Sequence, residues 1–344
     1  MPPVSKYAPP PLALTMGDPA GIGPDITLQA WCERDAADIP TFIVLGDPEV
    51  FSTRAQDLGL TVPIEEVNTP DAACKCFAHA LPVYPLRLPK AVNAGAPEAT
   101  SAAIIIEAID IGVEWVREGK AAALVTNPIN KKLLSEAGFS HPGHTEYLAE
   151  LCAENGRTPR PVMLLTSGDL RVVPVTVHIP LKDVPAALNG QLICEVVEIT
   201  VNSLQNSFHI PEPRIGITGL NPHAGEDGTL GHEEIETIAP AIEKLKRNGL
   251  DVNGPLPADA VFQERIRGTY DAIVAMYHDQ ALIPVKTLAF DSTVNVTLGL
   301  PIIRTSPDHG TAYEIAGTGK ANPGSLIESL RLAQTLGLRE LAVT

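Results

Sequence analysis

Short apolar runs alternate with longer amphipathic stretches along almost the whole chain. The runs Leu12–Met16, Thr41–Gly46, Ala121–Thr126, Val162–Thr166, Arg171–His178, Arg214–Gly219, Asp271–Met276 and Thr293–Leu298 read as strands. Helical spacing appears in Pro24–Arg34, Pro97–Glu118, Thr145–Glu154, Gly190–Asn206, His232–Asn248 and Pro323–Thr335. Pro97–Glu118 carries the strongest signal, combining length, Ala, Ile and Glu content and a terminal Gly119. This alternation predicts an α/β fold of mostly parallel sheets flanked by helices. Loops rich in Pro and Gly are expected near 63–72, 86–97 and 250–258. None resembles a free tether, so two lobes around a cleft are expected, with no internal repeat. The prolines near the start suggest a disordered lead over 1–11.

With 344 residues, the chain is long enough for one large or two ordinary α/β domains with a real core. Its 44% hydrophobic and 19% charged content suits a globular protein. A net charge of -16 argues against a basic nucleic-acid surface, so no nucleic-acid partner is expected. An anionic substrate would have to be held by local cations rather than by long-range attraction. The five cysteines (Cys32, Cys74, Cys76, Cys152, Cys194) match no zinc or redox spacing. They read as reduced thiols of a cytoplasmic protein. The N-terminal MPPVSKYAPPPLALTMG lacks a basic region followed by a long apolar run, so it is not read as a signal peptide. No run approaches the length of a membrane helix, and no membrane partner is expected.

Three histidines lie just past strand-like runs: His178 after VVPVTV, His223 after RIGITGLNP and His278 after DAIVAMY. Ligands of α/β proteins sit outside the carboxyl ends of strands. Each histidine alone reads as a surface or hydrogen-bonded residue. Together, with Asp259 and Asp279 nearby in sequence, they suit one divalent metal with open positions, a Lewis acid toward a hydroxyl or carbonyl oxygen. His79, His141, His209 and His232 lack that context and read as surface residues.

Lys286, Asn295 and Arg304 recur every 9 residues in an otherwise apolar segment (Ala281–Leu288, Val294–Ile303). They suit a clamp on phosphate or carboxylate oxygens. The alternative is pairing with a buried carboxylate such as Asp291 or Asp308. His144 and Thr145 follow Pro142-Gly143 at a helix start, where free N–H groups attract anions; an N-cap by Thr145 would explain the threonine alone. Met16–Asp25 (MGDPAGIGPD) follows a strand and opens a helix, but it is not the dinucleotide G-x-G-x-x-G. Spacing leaves a structural turn and a ligand loop both open there. The Gly-rich loop Ser306–Pro323 reads on its own as an ordered polar loop.

These motifs resemble the PdxA family of pyridoxal phosphate biosynthesis: MGDPAGIGPD, TNPINK (Thr126–Lys131), HPGHTEYLAEL, VPVTVH, LNPHAGE, PADAVF, MYHDQALIPVKTLAFD and VNVTLGLPIIRTSPDHGTAYEIAGTG. The resemblance covers about residues 12–335 in the expected order. The ends of the chain also resemble the isocitrate/isopropylmalate dehydrogenase superfamily, through the opening turn and the loop His309–Pro323. An isocitrate/isopropylmalate dehydrogenase-like fold is implied, and NAD bound without a Rossmann fingerprint through His309, Gly310, Thr311, Glu314 and Asn322. An acid at Glu314 would accept a ribose 2′-OH and repel a 2′-phosphate, favouring NAD over NADP. The resemblance makes His178, His223 and His278 the metal ligands, with zinc, cobalt or magnesium as the ion. It also implies discontinuous lobes, placed at 12–140 plus 285–344 and at 141–284, and a homodimer whose active site is built at the subunit interface.

The implied reaction is metal- and NAD-dependent oxidation of 4-phosphooxy-L-threonine at C3, followed by loss of CO₂ to 3-amino-2-oxopropyl phosphate. A metal-bound hydroxide, Asp259 or Asp279 is the expected proton acceptor. His144, Thr145, Lys286, Asn295 and Arg304 are expected to hold the phosphate and carboxylate. Two rivals share the residues: a paralogue oxidising a phosphorylated sugar acid or a dihydrodiol dicarboxylate, and a metal-dependent hydrolase.

Overall fold

The structure is a computed structural model that describes residues 9–139, 141 and 143–341. Most of the expected lead over 1–11 lies outside the described residues. In chain order the strands are β1 (Leu12–Thr15), β2 (Phe42–Gly46), β3 (Ile64–Glu66), β4 (Leu81–Pro85), β5 (Leu124–Thr126), β6 (Val162–Ser167), β7 (Leu170–Thr176), β8 (Ile215–Thr218), β9 (Val252–Leu256), β10 (Ala272–Tyr277), β11 (Val294–Leu298) and β12 (Arg304–Pro307).

The chain forms two compact units, one drawn from residues up to Arg160 and from Leu300 onward, the other Pro161–Gly299. The expected lobes cross at 140 and 284; the contacts place the crossings at 160 and 299. The helix carrying His144 and Thr145 thus belongs to the first unit, and Lys286 and Asn295 to the second.

In the first unit the strand order is β3-β4-β2-β1-β5-β12, and every pair is parallel. Parallel strands need covered faces, and β1, β2 and β5 are buried throughout. The helix Ala102–Arg117 buries Ile105, Ala108, Ile109, Gly112 and Val113, the stripe that 3.6-residue spacing predicts. A Cβ on Gly112 would lie 2.6 Å from a Leu124 methyl, so glycine lets the helix sit directly on β5.

The second unit orders its strands β11-β6-β7-β10-β8-β9. Here β11–β6 and β6–β7 are antiparallel, while β7, β10, β8 and β9 run parallel. β7, β10 and β8 are therefore neighbours pointing the same way, and their carboxyl ends lie side by side.

The α/β class with mostly parallel sheets and flanking helices is as the pattern predicts. Two expected loops instead contain strands, β3 within 63–72 and β9 within 250–258. Both are edge strands, where short length and proline are tolerated, as Pro255 is in β9. The apolar segment Ala281–Leu288 lies in a helix, His278–Ala289, whose internal Pro284 obscures the helical signal. All five cysteines are free thiols. Among the described residues no single helix is long and apolar enough to cross a membrane.

Candidate active site

The three strand-end histidines belong to the second unit. His178 lies two residues past β7, His223 five past β8, and His278 directly follows β10 and opens a helix. The His178 and His278 rings stand 5.6 Å apart between centroids. They line a concavity of about 240 Å³ with Thr176, Leu181, Val184 and Tyr277. His278 Nδ1 is 2.8 Å from Asp279 Oδ1. That contact fixes the ring and leaves Nε2 for a ligand, the arrangement carboxylates give to metal-binding imidazoles.

His178 and His223 have left-handed backbones, with φ of 51° and 52°. Histidine tolerates this region better than most residues, and such strain concentrates at functional sites. Around His223 the strain is extensive: His223 to Asp227 are all left-handed. Glu234 holds the base of that turn. Its Oε1 accepts from the backbone N–H of Leu220 and of Asn221, both at 2.7 Å, and its Oε2 accepts from Asn221 Nδ2 at 2.9 Å. Among the described residues no three His, Cys, Asp or Glu side chains converge closely enough to hold an ion. One chain thus brings two of the three imidazoles together and presents the third on a separate, rigidly held turn. The donor chemistry fits a divalent ion. Asp259 is exposed in the short helix Ala258–Val261, and Asp279 is exposed beside His278.

Lys286 and Asn295 also belong to the second unit. Lys286 lies in the last turn of the helix opened by His278, its ammonium 5.7 Å from the Phe290 ring centroid. Asn295 is half-buried on β11, paired with Leu165.

Arg304 sits on β12 of the first unit, 4% exposed. Its Nε and Nη2 donate to Thr126 Oγ1 at 3.2 and 2.6 Å. Burial lowers its pKa to about 10. His144 opens the helix His144–Leu151, and burial holds its pKa well below 6.5, with Arg304 and Lys131 adding to the effect. Its Nε2 is shielded from solvent and has no hydrogen-bond partner among the described residues. A neutral imidazole with an open nitrogen beside two cations is what an anionic substrate with hydroxyl oxygens would meet. The helix is capped by Gly143 rather than by Thr145, so capping does not account for the threonine. His141 is not a surface residue: it packs against the rings of Phe139 and Tyr147.

The opening turn Met16–Asp25 serves as a dock for the loop after β12. Ile22 N–H donates to Thr311 O at 3.0 Å. A Cβ at Gly21 would fall 2.9 Å from that same oxygen, so the approach requires glycine. Tyr313 OH donates to Asp18 Oδ2 and Gly317 N–H to Asp25 Oδ1. Asp25 also pairs with Arg54, itself bonded to the carbonyls of Gly21 and Pro19. Gly310, Glu314 and Asn322 are exposed on the docked loop, while His309 and Thr311 are half-buried. The loop thus offers polar groups and an exposed acid on a fixed frame, which fits a nucleotide. Asn322 has a structural duty as well, accepting from Gly324 N–H at 2.9 Å where the last helix begins.

Glu234, Asp18, Asp25, Arg54 and Tyr313 do not emerge from the sequence pattern. Each acts through a contact with backbone or side chain distant in sequence. Only Asp18 and Asp25, inside the opening turn, and Tyr313, inside the Gly-rich loop, carried a local signal.

Fold and site together define an α/β protein of the kind that gathers ligand groups at the carboxyl ends of parallel strands. The model of the family described as pyridoxal phosphate biosynthetic protein PdxA matches residues 38–333, and this chain belongs to that family. A 4-hydroxythreonine-4-phosphate dehydrogenase of Bradyrhizobium diazoefficiens is 52% identical over 97% of this chain and 99% of its own. One of Xanthobacter autotrophicus is 53% identical over 96% and 94%. A crystal structure of 4-hydroxythreonine-4-phosphate dehydrogenase from Klebsiella pneumoniae matches with TM-score 0.85 and 36% identity, covering 97% of this chain and 99% of that one. A terephthalate 1,2-cis-dihydrodiol dehydrogenase of Burkholderia xenovorans matches at TM-score 0.62 and 27% identity, over 95% and 98%.

Proposed function

We propose that this chain is an oxidoreductase that oxidises 4-phosphooxy-L-threonine at C3 with NAD, in the pathway to pyridoxal phosphate. Oxidation gives 2-amino-3-oxo-4-phosphooxybutanoate. As a β-keto acid this loses CO₂ to leave 3-amino-2-oxopropyl phosphate. Support for the substrate is the near-full-length identity to relatives named for that activity. Support for the chemistry is one observation, the parallel strand ends β7, β10 and β8 each delivering a histidine, with two rings 5.6 Å apart. The lower likeness to the dihydrodiol dehydrogenase argues against that substrate.

His178, His223 and His278 would hold one divalent ion, zinc, cobalt or magnesium, completed in a homodimer at the subunit interface. An ion held there would make the substrate hydroxyl easier to deprotonate. Asp279 orients His278, which leaves Asp259 as the carboxylate to take the hydroxyl proton. In the first unit, Arg304 pairs with an anionic substrate group, Thr145 donates to it, and neutral His144 adds a hydrogen bond. In the second, Lys286 and Asn295 offer an ammonium and an amide to phosphate or carboxylate oxygens. Such remote binding positions C3 for hydride transfer. NAD would lie against His309, Gly310, Thr311, Glu314 and Asn322, with Glu314 accepting from the ribose diol and disfavouring NADP. A cytoplasmic location follows from the pathway.

The test is NADH formation from 4-phosphooxy-L-threonine with and without chelator. Turnover that the chelator removes and zinc or cobalt restores is the expected result. Turnover only on 4-phospho-erythronate or a dihydrodiol would transfer the machinery to another substrate, and failure to bind NAD at all would defeat the reading.

A further inference from the structure

One side chain ties together the strand ends that carry the histidines. Gln280 is buried two residues after His278. Its Oε1 accepts from Met276 N–H at 2.6 Å and from Thr218 Oγ1 at 2.8 Å. Its Nε2 donates to Gly219 O at 2.8 Å. The amide therefore joins the end of β10 to the end of β8, just before the turn that bears His223. On the other side, Thr176 Oγ1 donates to Met276 O at 2.8 Å, joining the end of β7 to β10 two residues before His178. Both backbone groups of Met276 are thus held by side chains, one from the helix that follows β10 and one from the end of β7. The orientation of the Gln280 amide is fixed, because Met276 N–H can only donate and Gly219 O can only accept. No aliphatic residue of similar shape can replace this pattern, and the buried Gly219 O and Met276 N–H would be left without partners.

Resting on the metal reading above, we infer that Gln280 is a positioning residue, one that sets the separation of the His178, His223 and His278 strand ends without touching the ion. Partners of metal ligands that lie outside the coordination sphere typically change metal affinity by about 10–100-fold when removed. Gln280 acts one step further out, on the backbone that carries two of the ligands, so its loss should fall near the lower end of that range.

The experiment titrates zinc into metal-free Gln280→Met by calorimetry, beside wild type and Thr200→Val. Thr200 is a buried residue of the same unit whose hydroxyl bonds to Val196 O within the helix Gly190–Asn206, away from the histidines. Gln280→Met is expected to bind zinc about tenfold more weakly, with NAD affinity retained. Thr200→Val is expected to lower the melting temperature and keep wild-type zinc affinity. Wild-type zinc affinity in Gln280→Met, or an equal loss in Thr200→Val, overturns the assignment. If Gln280→Met does not fold, Thr176→Val removes only the link from β7 to Met276; a smaller loss in the same direction supports the assignment and an unchanged affinity overturns it. Wild-type protein that binds no zinc, or His223→Ala that binds it normally, would instead sink the metal reading itself, and the inference with it.

Discussion

Tyr313 donates its hydroxyl to Asp18 at 2.6 Å across 295 residues of sequence. The contact fastens the loop after β12 to the turn after β1. Burial together with Asp18 raises the phenol to about 12, and burial raises Asp18 above the usual carboxylate value. Tyr313→Phe leaves a buried carboxylate short of one donor, a loss of about 1–3 kcal/mol. Weaker NAD binding is expected, with KM for NAD up about tenfold if 1.4 kcal/mol of that is felt at the loop, and little change in kcat at saturating NAD. Steady-state kinetics decide it; an unchanged KM would show that the loop needs no such anchor.

His144 gives the fold a pH dependence. Its folded-state pKa lies well below the unfolded value of 6.5. Below pH 6.5 the unfolded chain therefore binds a proton that the folded chain refuses. Stability from this residue is complete above that pH and is lost as pH falls toward the folded value. The melting temperature should fall more steeply for wild type than for His144→Gln between pH 7.5 and about 5. Parallel curves would mean that His144 titrates normally.

Asp279 and His278 separate two roles that the sequence left joined. If Asp279 orients the imidazole, Asp279→Asn weakens zinc binding about tenfold and leaves the shape of the pH–rate profile intact once zinc is saturating. A lost acidic limb of that profile, with normal zinc affinity, would make Asp279 the proton acceptor instead.

Arg304→Ala and His223→Ala are expected to fail differently. Loss of a charge-assisted bond to substrate costs about 1.5–3 kcal/mol, so Arg304→Ala should raise the substrate KM by roughly 10–150-fold with NAD affinity retained. His223→Ala should abolish turnover while circular dichroism stays that of the wild type. Near-normal activity in His223→Ala contradicts a role for that histidine in the chemistry.

The α/β class and the strand ends bearing the histidines were legible because burial in a parallel sheet writes long apolar runs, and the chemistry begins where each run stops. Edge strands β3 and β9 were not, because an edge needs no such run and accepts proline. Gln280 and Glu234 were invisible for another reason. Their work is to satisfy polar groups at other strand ends and turns, and nothing in HDQ or HEE says which carbonyl, hydroxyl or N–H will be close. The opening turn was ambiguous on spacing, and the contacts of Gly21 with Thr311 decide its structural part. His141 misled because a histidine between two aromatic rings looks, in sequence, like any other loop histidine.

The first unit takes its last strand, β12, from beyond the whole of the second, and places it against β5. On the ribosome, the second unit therefore has all its strands before the first has all of its own. Until Arg304–Pro307 emerges, β5 keeps an unpaired edge and the turn at Gly21 has no loop to receive. Translation order thus makes the docking of the loop after β12 onto the opening turn one of the last contacts the nascent chain can form.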